Sequence, residues 1–174
     1  LVRAGGVKTF PARLLLLATT NLCRCGKFVP EPNMGGCTCV KSKRRRMLAR
    51  LTGPFVDRFA IFATSRGWSS ESSVPVEVVE AKVKAAIEFR KASRSQYQPN
   101  SRADIDTIES SLTAFQTKHL LASGMHSRRR REAVVRVART LADLKNEVAI
   151  ANEDIDDALR LAVRTHRSLE DWVE

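Results

Sequence analysis

The feature that most restricts how this chain can fold is a pair of Cys-x-Cys motifs, Cys23 and Cys25 followed after eleven residues by Cys37 and Cys39, set between an apolar run and a basic one. The surrounding segment 22–46 is rich in Cys, Gly, Pro and Arg and has too few aliphatic side chains for a core of its own. A cross-link must therefore hold it. Two close thiolate pairs at the ends of a flexible loop can converge tetrahedrally on one ion, and four soft thiolates select zinc. Arg24, Lys27 and the cationic run favour ionised thiols. A structural zinc contributes roughly 10 kcal/mol or more, which is the folding energy the loop lacks. Reduced free cysteines and disulfides or redox chemistry are the alternatives. With all four positions filled by sulfur, a catalytic metal with an open coordination position is not expected.

The formal net charge is +11 over 174 residues, and its distribution is uneven. Residues 1–70 carry 13 Lys and Arg against two acids, Glu31 and Asp57, whereas residues 71–174 carry 17 of each sign. An anionic partner such as nucleic acid should meet the protein on its first part. Lys41, Lys43, Arg44, Arg45 and Arg46 form the densest cationic run, and a merely solvated surface is the plain alternative. Aromatic residues make up only 6% of the chain and do not interleave with these cations, so base stacking has no platform. Contacts to DNA should be backbone-directed and salt-sensitive.

Along the chain, "RAGGVK" from Arg3 to Lys8 reads as a Gly-Gly turn in a β-hairpin. Leu14 to Ala18, four leucines without polar alternation, fits a central strand of a parallel sheet buried on both faces. That run is too short to span a bilayer and no signal peptide precedes it, which makes a cytoplasmic location the default. The chain begins with Leu1 rather than Met and reads as a piece of something longer. A short helix after the basic run should end at Gly53-Pro54, and a second apolar strand is expected at Phe59–Ala63.

Residues 69–75 form a linker, and from residue 76 the pattern turns helical. Val76, Val79, Val83, Ala86, Ile87 and Arg90 give one stripe. Ser101 and Asp104 precede Ile105, Ile108, Leu112 and Phe115 as a cap would. A third helix spans about residues 127–145, with Val134, Val135, Ala138, Leu141 and Leu144 inward. Asn152 should cap a fourth, burying Ile155, Leu159, Ala162 and Val163. The expected architecture is an α/β unit over residues 1–68, with the Cys-rich insertion at 22–46, followed by a helical bundle over 76–174.

"VRAGGVKTFPARLLLLATTN", the two Cys-x-Cys pairs, "LTGPFVDRF" and "VVRVARTLADL" occur in an order that resembles the magnesium-chelatase-like AAA+ ATPases, most closely the ComM group of bacterial DNA-processing proteins. More distantly the chain is similar to the chelatase subunits and the MCM helicases. The resemblance implies the last strands of an AAA+ P-loop ATPase core with a zinc-binding insertion, then a helical lid. It also implies ATP and Mg2+ in the complete protein, a homo-oligomeric ring, hexameric in related motors, and movement on DNA. Asn21 matches the sensor 1 asparagine that orients the water attacking the γ-phosphate. Leu22 stands where the family usually has proline. Arg58 in "FVDRF" matches the arginine finger that reaches a neighbouring subunit's nucleotide. Arg129, in "SRRRRE", matches the lid arginine known as sensor 2, with Arg128, Arg130 and Arg131 one step away. Arg136 and Arg139 are expected to organise the helix against its neighbours. Lys8 corresponds to the hairpin that related motors push into their channel, and is a candidate DNA contact.

No Gly-x-x-x-x-Gly-Lys-Ser/Thr loop occurs, and "GGVKT" at residues 5–9 is too short to cradle phosphates. No apolar strand ends in Asp-Glu. By itself the chain should not turn over ATP. A reading of a different class is therefore a stand-alone zinc-containing nucleic-acid-binding or scaffold module without ATPase activity. A chelatase subunit of tetrapyrrole synthesis is a third, opposed by the Cys-x-Cys pairs.

Overall fold

The computed structural model describes residues 2–3, 6–7, 9, 15–28, 36–49, 57–63, 74–125 and 127–171, with side chains for all of these but 2, 3, 48 and 163–171. The expected hairpin is present: β1 (Val2–Arg3) pairs antiparallel with β2 (Gly6–Val7), Val2 opposite Val7 and Arg3 opposite Gly6. Gly6 has φ +119°, a conformation that side chains with a Cβ rarely adopt.

The two longer strands do not form. Leu15, Leu16 and Leu17 are in no strand and are 86%, 59% and 85% exposed, and residues 59–63 are irregular. A central parallel strand needs hydrogen-bonding neighbours on both sides. Among the described residues the only pairing is β1 with β2, so the apolar run has no ladder to join. The helix near the basic run starts earlier than expected, and its expected end at Gly53-Pro54 lies outside the described residues. Helix α1 spans Lys41–Leu48 and takes in the cationic run itself. Lys and Arg are good helix formers, and Arg45 and Arg46 in the last turn suit the negative end of the helix dipole.

The helical unit holds the core. Helix α2 (Val76–Arg94) begins after Pro75 and ends at Ser95, whose φ is +50°. Of its expected stripe only Ala86 is fully buried, while Val76, Val79 and Val83 are 67%, 48% and 45% exposed. A turn at Asn100–Arg102 leads to α3 (Ile105–Glu109), and α4 (Ala114–Ala122) follows where one continuous helix was expected. The break has a local cause. Asp104 caps α3 by accepting from Thr107 N at 3.1 Å, and the Ser110 and Ser111 hydroxyls bond back to the carbonyls of Thr107 and Ile108. Thr113 and Gln116 then make a reciprocal capping box that starts α4. Phe115 consequently faces outward at 66% exposure.

Helix α5 (Arg128–Leu144) packs along α6 (Asn152–Asp171). Val134, Val135, Ala138 and Ala142 of α5 and Ile155, Ala158 and Ala162 of α6 are buried with Ile108, Leu120, Met125 and Ile150. The alanines leave room for the backbones to approach closely. Leu144, expected inward, is 41% exposed because the buried row ends at Ala142 and Asp143. Asn152 is the first residue of α6 rather than its cap; the end is held by Asp154, which accepts from Ala151 N at 2.9 Å. The side chain of Val163 lies outside the described residues.

One buried carboxylate of α5 fastens α2 and the Asn100–Arg102 turn to that helix. Asp143 accepts two bonds from Arg94 of α2, at 2.7 and 2.8 Å, one from Asn100 at 2.8 Å and one from Arg139 at 3.1 Å. Arg139 continues to the carbonyls of Glu147 and Val148, and Arg136 to those of Asn100 and Ala103. Both arginines thus organise α5 against its neighbours.

Candidate functional site

Residues 23–26 form a tight turn in which Gly26 N donates to Cys23 O at 3.2 Å. Gly26 has φ +74°, which favours glycine there. The turn brings Cys23 and Cys25 to one side, with their sulfurs 3.2 Å apart, and Cys37 stands 3.6 Å from each. With Cys39, all four sulfurs lie within 4.8 Å of one another. A disulfide needs about 2.05 Å between sulfurs, so these are four free thiols. A tetrahedron of sulfurs at about 2.3 Å from a metal has edges of about 3.8 Å. The donor set and its spacing fit a single tetrahedral ion.

The electrostatics point the same way. The Lys27 backbone amide and the Cys23 side chain favour the Cys25 thiolate and lower its pKa. At Cys37 the Cys39 amide also pulls downward, but burial and the crowding of Cys25, Cys23 and Cys39 outweigh it and push the thiol up to about 11. A thiolate is favoured at Cys25 and resisted at Cys37, a repulsion that a bound cation relieves. Cys23 is buried, and its sulfur accepts from Phe28 N at 3.2 Å.

Helix α1 is tied to this loop. The Arg44 guanidinium sits 4.6 Å from the centre of the Phe28 ring, so Arg44 is half-buried against the loop. Lys41, Lys43, Arg45 and Arg46 are exposed. Lys8 lies outside the described residues.

A second constellation joins residues 57–63 to the helical unit. Arg130 of α5 is buried, lies 3.6 Å from Asp57, donates to the Ala162 carbonyl and lies 5.9 Å from the centre of the Phe62 ring. Phe62 N donates to Leu161 O of α6 at 3.0 Å. Arg58 is exposed one residue from Asp57, and Arg129 is exposed one residue from Arg130. The arginine run is thereby sorted. Arg128 pairs with Glu132 at 2.8 Å, Arg130 is buried, and Arg131 reaches Met125 O at 3.4 Å. Arg129 is left directed to solvent at the start of α5.

Arg58 and Arg129 are thus each one residue along the chain from a member of the same ion pair. Asn21 is exposed and belongs with the cysteine turn, its side-chain nitrogen 3.7 Å from where a Cβ on Gly26 would lie. Sequence reasoning missed Arg130 as the joint. The lone acid Asp57 in an otherwise cationic segment was the available signal.

The family model for magnesium chelatase, subunit ChlI, matches residues 1–72, and the model for the C-terminal part of that subunit matches residues 71–162. Among curated proteins, one from Mycobacterium bovis and two from Mycobacterium tuberculosis, each described as an uncharacterized protein, are 27% identical over 175 residues. The alignment covers 91% of this chain and 33% of each relative. The chain thus spans about a third of the length of the curated relatives it matches. No solved structure matches it. Among the described residues no helix is long and apolar enough to cross a membrane.

Proposed function

Since this chain belongs to the magnesium-chelatase ChlI family of AAA+ ATPases, we propose that it supplies the sensing, trans-acting and lid portion of a ring-forming, ComM-type motor that remodels DNA or drives branch migration. The observation that carries the reading is that the two family regions abut near residue 72 and are joined by the Asp57–Arg130 pair. A lid that senses nucleotide must be mechanically tied to the core whose nucleotide it senses.

In this reading Asn21 orients the attacking water, and Arg58 reaches the nucleotide of a neighbouring subunit in a ring, hexameric as in related motors. Arg129 contacts the same class of phosphate from the lid. ATP with Mg2+ binds the complete protein, and the four cysteines hold a structural zinc. The residues Lys8, Lys41, Lys43, Arg45 and Arg46 face the DNA backbone, with Arg44 bracing α1 from the loop side. Insertion of magnesium into a tetrapyrrole is not carried over, because a four-thiol cluster serves no step of it.

The test is Arg58→Ala in the complete protein. ATP turnover should fall by at least 10³-fold with nucleotide binding retained, and equal loss of both would assign Arg58 to folding instead. The four-thiol cluster beside an exposed cationic helix supports one second reading, a zinc-containing binding module without ATPase activity. DNA binding with no nucleotide-dependent change in the complete protein would select it.

A further inference from the structure

Arg24 lies between two of the four thiols, Cys23 and Cys25, and its position is set by the turn they anchor. Together with Lys43, Arg46 and Met47 of α1 it lines an open groove of about 450 Å³. Lys43 and Arg46 are three residues apart and share one face of the helix. Arg44 takes a different direction onto Phe28 and holds the helix against the loop. Among the described residues the groove is thus lined by two elements, the cysteine turn and α1, which the Arg44–Phe28 contact also holds together.

Among the described residues no acidic side chain pairs with Arg24, Lys43 or Arg46. Glu31 is the sole acidic residue before Asp57, and no acidic side chain occurs in the described stretches 15–28 and 36–49. Three exposed cations that no acid of the described residues pairs with, beside the Met47 thioether, repel one another until an anion enters. We infer that the metal-bound cysteine cluster sets Arg24 opposite Lys43 and Arg46 to grip consecutive phosphates of a nucleic-acid strand. This rests on the reading of α1 as DNA-facing and adds to it a residue, Arg24, and a dependence on metal. The contact is to backbone rather than base, since Phe28, the aromatic ring beside the groove, is covered by Arg44.

Binding of a labelled single-stranded oligonucleotide, followed by fluorescence anisotropy across a salt series with zinc-loaded and chelator-treated chain, tests it. Arg24→Ala changes an exposed side chain and leaves the fold intact. It should reduce the slope of log K against log salt by about 0.7 and weaken binding about fivefold at 0.1 M salt, the effect of one phosphate contact on a single strand. Removing the metal should weaken the parent by at least as much and Arg24→Ala by less, because the contact that the metal positions is already gone. A parental slope in Arg24→Ala, or equal metal dependence in both proteins, overturns the groove while the DNA-facing reading of α1 stands. A parent that binds no oligonucleotide at low salt overturns both.

Discussion

Asp57 and Arg130 lie 3.6 Å apart and join the end of the first family region to the helical unit, with Arg58 and Arg129 exposed one residue from each partner. The two sides of the pair are unequal. The Arg130 side chain is 9% exposed and also bonds the Ala162 carbonyl, whereas that of Asp57 is 35% exposed. Loss of the arginine removes a buried, charged side chain that packs against Phe62 and donates to the Ala162 carbonyl; loss of the carboxylate removes a half-solvated charge.

Arg130→Ala should therefore destabilise the chain by about 2–3 kcal/mol, and Asp57→Asn by less than about 1 kcal/mol. Urea unfolding of the two variants measures this. Equal losses would mean that the ion pair, not the burial of Arg130, holds the joint.

Asp143 gives the helical unit a defined acid sensitivity. Burial by itself raises its pKa, but hydrogen bonds from Arg94 and Asn100 and the charge of Arg139 prevail and hold it below the usual carboxylate range. A carboxyl with a depressed folded pKa stabilises the protein fully above its unfolded value, near 3.9, and that stability is lost as pH falls through the folded value. Asp143→Asn should cost about 3–5 kcal/mol at pH 7, since it leaves Arg94 and Arg139 without their shared anion. It should also flatten the stability–pH curve below about pH 4. A variant that keeps the parental acid limb would place that sensitivity elsewhere.

The helices were legible in the sequence wherever apolar spacing and burial agree, as at Val134, Val135 and Ala138 on α5 and Ile155 and Ala162 on α6. The hairpin followed from Gly5-Gly6, and the cysteine cluster from spacing alone. Periodicity failed where local polar bonds override it. Ile105 to Phe115 has a helical stripe, yet Ser110, Ser111 and the Thr113–Gln116 box split it. It failed again over residues 15–18, where strand formation depends on neighbours that apolarity cannot supply. The direction of Arg24 and the burial of Arg130 depend on contacts between distant segments, which no local pattern encodes.

That split is itself testable. Thr113→Ala removes a cap whose hydroxyl accepts from Gln116 N at 3.2 Å, and should cost about 1 kcal/mol. If Ile105 to Ala122 were one continuous helix, the same change would sit mid-helix and stabilise slightly, because alanine is the better helix former. The sign of the shift in melting temperature separates the two.

The cysteine cluster predicts one equivalent of zinc per chain by elemental analysis. Cys23→Ser should lose it most completely, since Cys23 is the buried member of the set and its sulfur also holds Phe28 N. Residues 22–46 should then become protease-sensitive, while the helical signal from α2 to α6 persists, because that core contains none of the cysteines. A metal-free preparation with unchanged protease resistance in this segment would remove the cluster's structural role.

The sorting of the arginine run makes the last prediction specific. Arg128 is engaged by Glu132, Arg130 by Asp57 and Ala162, and Arg131 by Met125, so Arg129 is the exposed member of the run that no described residue engages. Its place at the start of α5 adds the positive end of the helix dipole to its own charge, a combination suited to a phosphate. In the complete protein Arg129→Ala should lower ATP turnover at least tenfold while thermal stability stays within about 0.5 kcal/mol of the parent. Arg128→Ala, whose exposed pair with Glu132 is worth about 0.3–0.5 kcal/mol, should leave turnover unchanged. Arg130→Ala should lower turnover together with stability, and its loss should be recovered at lower temperature. A loss of turnover in Arg128→Ala equal to that in Arg129→Ala would show that the run acts as a diffuse positive field, and would withdraw the assignment of a single sensing arginine.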